Sequence, residues 1–403
     1  MKNQLIKITT LSLMASSIIC AGGYKIPETS LNGVALSAAN VAHASMADTA
    51  YYNPANMVFM DDKNTMELDL LYIGIDATNY KGTVAGDTTV YDIDAESENF
   101  LIPSINYVSK KIGKARIGFS MVVPGGLTKR WKDSPAVDKA EEFTLQVVEL
   151  NPTLAYPVND TLAVALGVRI IHSEGIVKSS STASRDMTGD SFDFGYNLAL
   201  AYKPTSQVEL GLTYRSNVDL TEEGNAELWV GEGLVYDGGS SVTVPLPALL
   251  NVALAYTFES KTTVEFVYER NFWSAYDTLD FDYTDSIPAI IQPAFDEPIA
   301  KNWEDTNVYR LGITQDMGTT TLMAGIVYDE SPIPEETVSF ELPDSDSISV
   351  SFGGRYQVDK SLNIGLSALY SMRESRTVNN DDIQGEFSNS NVLIIGAGAE
   401  YKF

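Results

Sequence analysis

Cysteine is almost missing from this chain: there is one, Cys20, in 403 residues. It falls in a segment that reads as an export signal, with Lys2 and Lys7 ahead of an apolar run from Ile8 to Ile19 and small residues at its end. The signal is taken as residues 1–22, with cleavage after Gly22 or one residue earlier. Its removal takes the only thiol away, which excludes disulfides and thiolate metal sites from the exported protein. Histidine is nearly as scarce, with His43 and His172 alone. Hydrolytic chemistry needs a histidine beside an acid or a nucleophile, and neither has metal-spaced companions, so no catalytic residue, metal site or cofactor is expected. Basic residues are few. Twenty-seven Lys and Arg face 54 Asp and Glu, a net charge of -27, and a nucleic-acid partner would need the opposite balance. Beyond the signal there is no run of about 20 apolar residues, so nothing reads as a membrane-spanning helix.

Alternation is abundant. From Phe192 to Tyr202 the even positions are Phe192, Phe194, Tyr196, Leu198, Leu200 and Tyr202, whereas the odd ones are Asp193, Gly195, Asn197, Ala199 and Ala201. The same period of two runs through Val208–Tyr214, Leu250–Phe258 and Leu362–Tyr370, as half-buried strands require. Short turns fall at Lys110–Gly113, Pro157–Asp160, Lys203–Ser206, Glu259–Lys261, Asp316–Gly318 and Gln357–Lys360. Long polar connections lie between them, near 76–98, 124–142, 175–189, 216–239, 277–302, 329–345 and 373–390. Strict alternation of short and long connections distinguishes an outer-membrane barrel from a soluble sandwich, whose loops are short at both ends. The predicted fold is therefore an all-β transmembrane antiparallel barrel of about 14 strands over residues 63–403, in the outer membrane of a Gram-negative bacterium. Tyrosines near strand ends, among them Tyr156, Tyr202, Tyr256 and Tyr401, suit interfacial girdles facing lipid and lipopolysaccharide. The last strand ends on Phe403, a terminus suited to the barrel-assembly machinery.

Residues 23–62 do not alternate. From Tyr24 to Met60 the chain is rich in Ala, Ser and Asn, places Leu31, Val34, Ala38 and Val41 at helical spacing, and breaks at Asn53-Pro54-Ala55. Short helices with so little apolar surface need a wall to pack against, so this stretch is predicted to be a hatch of short helices plugging the barrel lumen. That hatch, together with Tyr214-Arg215-Ser216, Leu246-Pro247, Tyr309-Arg310-Leu311-Gly312 and Tyr328-Asp329-Glu330-Ser331-Pro332, resembles the FadL/TodX family of outer-membrane transporters of hydrophobic compounds.

The resemblance implies passive uptake of a hydrophobic small molecule, a long-chain fatty acid or a neutral or aromatic hydrocarbon, with lateral exit where the third strand is kinked beside the hatch. The matching strand here begins Arg116-Ile117-Gly118, which makes Gly118 the candidate kink; a lumen-facing glycine that makes room for the hatch is the other reading. Asn53, Pro54, Ala55 and Gly118 are thus the candidate gating residues. For ligand capture the apolar fifth loop offers Ile290 and Phe295, with Leu127 and Trp131 from the second loop. A carboxylate ligand would need a basic partner, and Arg169, Arg215, Arg310 and Arg355 face the lumen by parity. Glu149, Glu265 and Glu269 face the same way and would neutralise them. A general-diffusion porin for small polar solutes fits the barrel pattern equally well and is opposed only by the plug.

Overall fold

The computed structural model describes residues 22–403, so the export signal lies outside the described residues apart from Gly22. Fourteen antiparallel strands form a closed wall. They are β1 (Thr65–Ile75), β2 (Glu98–Val108), β3 (Arg116–Arg130), β4 (Glu142–Pro157), β5 (Leu162–Ser179) and β6 (Ala183–Tyr202). β7 runs as Val208–Arg215 and then Val218–Val230, and β8 as Gly233–Leu246 and then Leu249–Thr257. The circuit finishes with β9 (Thr262–Asn271), β10 (Thr306–Asp316), β11 (Thr320–Asp329), β12 (Ser347–Gln357), β13 (Leu362–Arg373) and β14 (Val392–Lys402). β1 pairs with β2 on one edge and with β14 on the other, from Thr65↔Lys402 to Ile75↔Val392, which closes the barrel and leaves no free sheet edge at that seam.

The pleat sorts the side chains. On β1, Leu68, Leu70 and Tyr72 face outward while Glu67, Asp69 and Leu71 are buried in the lumen; on β6, Phe192, Phe194, Tyr196 and Leu198 form the outer apolar face. An apolar outside and a polar, packed inside is the arrangement that lipid imposes on a spanning barrel.

Two of the connections expected to be loops are strands. Residues 175–189 belong to β5 and β6, which stay in register to Ser179↔Arg185, and residues 218–239 to the upper arms of β7 and β8, in register to Val230↔Gly233. Above the membrane the outward face meets water rather than lipid, so it turns polar, and on the upper arm of β7 the apolar Val218, Leu220, Ala226 and Leu228 face inward. Segments Asn79–Val84, Tyr91–Asp94, Arg376–Asn379 and Ile383–Ser388 add a separate four-stranded sheet at this end.

β3 departs from regular pairing. It matches β2 only from Val108↔Gly118 to Ile105↔Met121, and its register against β4 shifts between Val122 and Gly125. Gly118 lies in the regular part, so the irregularity falls at Val122-Val123-Pro124-Gly125 and corrects the assignment of the kink to Gly118. Proline has no N–H to give to a ladder, and the following glycines tolerate a bulge, which explains the position. The chain just before β2 and just after β3 meets again at the isolated bridge Ala95↔Trp131.

Candidate functional site

The hatch runs from the long-loop end of the lumen to the short-turn end. Its first part is an extended arm. The Gly23 amide donates to Asp344 Oδ2 at 2.9 Å, and the Tyr24 ring sits edge-on to Trp273 with centroids 4.8 Å apart, 5.6 Å from Trp303. Gly23 has φ of +70°, and a Cβ there would come within 2.6 Å of the Trp273 ring, so only glycine fits. The Tyr24 hydroxyl donates to the Pro245 carbonyl. The arm then bonds to β3 at its irregularity: Lys25 bridges Gly125, the Ile26 amide donates to Pro124 O at 2.9 Å, and the Gly126 amide donates to Tyr24 O at 2.8 Å. It thereby takes the edge of β3 that β2 leaves free.

Below the arm come α1 (Leu31–Ala35) and α2 (Thr49–Tyr52), followed by a 3-10 turn, Pro54–Phe59. Ser30 caps α1, its hydroxyl accepting from the Gly33 amide and donating to Asp48 Oδ2 at 2.8 Å. Between the helices the amides of Val41, Ala42 and His43 all donate to the Glu265 carboxylate at 2.7–3.0 Å. Helices of four and five residues have no stability of their own, so these bonds to the wall hold the hatch in shape. At the short-turn end the Arg116 guanidinium donates to the carbonyls of Met60 and Asp61.

Asn53 caps the 3-10 turn, its Oδ1 accepting from Ala55 N at 3.1 Å while its amide donates to Val41 O at 2.8 Å and Leu200 O at 3.1 Å. It therefore ties the hatch to β6, not to β3. Pro54 occupies the first position of the turn, where its missing N–H costs nothing, and Ala55 is fully buried against the wall. At Gly118 an added Cβ would lie 2.5 Å from Thr153 Oγ1 and 2.6 Å from Met57 Sδ. That glycine makes room for the hatch.

The four lumenal arginines all meet carboxylates. Arg169 and Arg215 share Glu149, Arg310 bonds to Glu269 and to Ser37 O, and Arg355 bonds to Glu67 and to Asn32 Oδ1. Their roles diverge. Arg310 and Arg355 each bond a hatch group to the wall, whereas Arg169 and Arg215 also line a cavity of about 50 Å³ beneath the arm. Lys25, Tyr51, Pro124 and Glu269 complete this lower cavity, and the Arg215 guanidinium lies 4.4 Å from the Tyr51 ring centre. Glu28, in the hatch beside Arg310, has its carboxyl pushed up to about 7 by burial, against the opposing pull of Arg310 and Lys25.

An upper cavity of about 60 Å³ lies on the loop side of the arm and is mostly apolar, with Tyr24, Leu127, Phe143, Val242, Phe281 and Trp303 in its walls. Of the proposed capture residues only Leu127 is there. Trp131 is fully buried against Phe340 and donates to its carbonyl at 2.9 Å, Phe295 is buried under Arg185, and Ile290 points into solvent. Trp303, Val242 and Phe281 are not among the residues read from the sequence; the run Val122-Val123-Pro124-Gly125-Gly126 holds the signal for the irregular strand.

A closed barrel with an apolar outer face, whose lumen is filled by its own N-terminal segment, has the build of a plugged outer-membrane channel. The comparisons place it more closely: residues 12–403 match the family model for outer membrane protein transport protein (OMPP1/FadL/TodX), and the chain belongs to that family. It is 23% identical to the long-chain fatty acid transport protein of Salmonella typhi, covering 95% of this chain and 94% of that one. A FadL homologue from Pseudomonas aeruginosa shares the fold with a TM-score of 0.82 at 20% identity, over 95% of this chain and all of the other. The toluene transporter TbuX of Ralstonia pickettii does so with a TM-score of 0.70 at 18% identity, over 93% and 98%. The protein is thus an outer-membrane transporter of hydrophobic compounds in a Gram-negative bacterium.

Proposed function

We propose that this protein passively admits hydrophobic small molecules, in the range from long-chain fatty acids to aromatic hydrocarbons that its relatives' names span, and releases them sideways into the membrane at the β3 irregularity. The observation that carries this reading is the arm. Tyr24–Ile26 separates the apolar upper cavity from the lower one and is hydrogen-bonded to Pro124 and Gly126, in the stretch of β3 beyond Met121 that lacks β2 as partner. Unpaired strand groups facing lipid are costly, so the arm covers a defect that opens when it moves. Lateral release also spares a hydrophobic chain the cost of re-entering water, about 0.8 kcal/mol per methylene. The porin reading is disfavoured because the residues from Tyr24 to Met57 fill the lumen and almost all of them are buried.

The test is to lock the arm. Lys25 and Gly125 face each other across the bridge, a separation that a disulfide can span, so the Lys25→Cys/Gly125→Cys protein can be compared oxidised and reduced. Oxidation should lower uptake at least tenfold and leave ligand binding intact, with reductant restoring transport. Equal uptake in both states would reject lateral release past this arm.

A further inference from the structure

Glu222 is the unusual group in the upper cavity. It points inward from the upper arm of β7, is 3% exposed, and lines both this cavity and the smaller one beside it. Neither carboxylate oxygen has a well-formed hydrogen bond, although the Ser173 hydroxyl lies near enough to favour the charged form. The neighbouring Ser173 hydroxyl is 2.7 Å from that of Ser191, and the charged neighbours Asp190 and Asp193 carry the same sign, with His172 the one group of opposite tendency. The cavity's ammonium, Lys301, is bonded to Glu341. Its other polar groups, among them Thr144, Tyr276, Thr337 and Ser339, are uncharged. Burial pushes the Glu222 carboxyl up to about 7, so at pH 8 the upper cavity holds one net negative charge, on a buried carboxylate that lacks a well-formed hydrogen bond.

Taking a carboxylate out of water without a partner is costly, and a donor brought by a ligand would offset that cost, whereas a second carboxylate would add repulsion in a medium of low dielectric. We infer that Glu222 is a specificity-determining residue that favours hydrophobic ligands bearing a hydrogen-bond donor, such as a long-chain alcohol or an alkylphenol, over carboxylates of the same length. This rests on the reading of the upper cavity as the ligand's first binding site.

The experiment uses the full-length protein in lipid nanodiscs, with decanol, decanoate and decane as probes and quenching of tryptophan fluorescence as readout, since Trp303 lines the cavity. At pH 8 the wild type should bind decanol at least tenfold more tightly than decanoate. Glu222→Gln should tighten decanoate at least tenfold, and Glu222→Leu should weaken decanol about tenfold and leave decane unchanged. Removing an unpaired buried charge does not endanger folding, which heat-dependent gel mobility checks. A wild type that binds decanoate as tightly as decanol, or a Glu222→Gln protein that binds decanoate no better, would overturn the inference. Leu127→Trp, which fills the cavity, separates the two claims. If it leaves all three probes bound as before, the binding site itself is misplaced. If it abolishes binding while the Glu222 variants discriminate no differently, only the inference about Glu222 fails.

Discussion

The two cavities on either side of the Tyr24–Ile26 arm are similar in size and opposite in charge. The upper one, about 60 Å³, is walled by aromatic and branched side chains and carries the buried Glu222 carboxylate; the lower one, about 50 Å³, is walled by Lys25, Arg169, Arg215 and Glu269, with Lys25 paired to Glu269 and both arginines sharing the single carboxylate of Glu149. A ligand moving from one to the other passes from a surplus of negative charge to a surplus of positive charge across a few residues of backbone. The contrast teaches that the arm is more than a plug. It lies between two environments of different charge balance, which its displacement would join.

The largest way to break this contrast is to remove the counter-ion of the lower cavity. Glu149 is fully buried, and Glu149→Gln would leave two buried guanidiniums with no acid between them. Breaking a buried ion pair from one side costs about 3–5 kcal/mol, so the variant should fold in lower yield and lose its heat-resistant gel mobility at a lower temperature. An unchanged transition would mean that water in the cavity already carries the surplus charge.

A smaller effect is expected from opening the partition itself. Tyr24 is 1% exposed, packed on Trp273 and Trp303, and bonded to Pro245 O, so Tyr24→Ala removes a ring that nothing nearby replaces. The loss, on the order of 3 kcal/mol, falls on the seating of the arm and leaves the wall strands intact. The two cavities should merge: small-ion conductance in planar bilayers should rise from closed to measurable, while barrel stability stays near that of the wild type. A closed channel in this variant would show that the arm is held chiefly by its backbone bonds to β3.

The barrel was legible in the sequence because lipid enforces a period of two on every wall strand, and the six tight turns and seven long connections mark their ends. Phe192–Tyr202 and Leu250–Phe258 could be read directly. Legibility stopped where lipid stops. In residues 175–189 and 218–239 the outward face is polar and only scattered inward positions such as Met187, Val218, Leu220 and Leu228 are apolar, so strands resemble loops. The hatch was legible as a segment through its composition and its Asn53-Pro54 break, but the partner of Asn53 was not: the amide reaches Leu200 O, a contact between residues 147 apart that no local pattern encodes. The same holds for the arginines. Parity placed all four in the lumen, yet only three-dimensional neighbours divide them into Arg310 and Arg355, which fasten the hatch, and Arg169 and Arg215, which line a cavity. The third strand continues through Pro124, where the sequence reads as the start of a connection, so its irregular register lay beyond the segment in which Gly118 was the candidate.

The smallest predicted effect concerns how firmly the arm is seated at different pH values. Glu28 follows the arm, sits fully buried 3.6 Å from Arg310, and has its carboxyl raised from 4.5 to about 7, chiefly by burial. The seated hatch therefore holds this proton more tightly than a released, hydrated one would. Seating is firmest below about pH 4.5, where both forms are protonated, weakens as pH rises through the window from 4.5 to 7, and is level above it. Between pH 5.5 and 8 the change is at most about 2 kcal/mol, and less if the released arm stays partly dry. Hydrogen exchange of the amides from Tyr24 to Thr29, corrected for its intrinsic pH dependence, should thus report more frequent opening at pH 8 than at pH 5.5. Glu28→Gln, neutral at both values, should flatten the difference while leaving exchange in the wall strands unchanged. If the slope persists in that variant, Glu28 is not the group that links the arm to pH, and Asp48, buried beside Ser30 in the same hatch, becomes the one to substitute next.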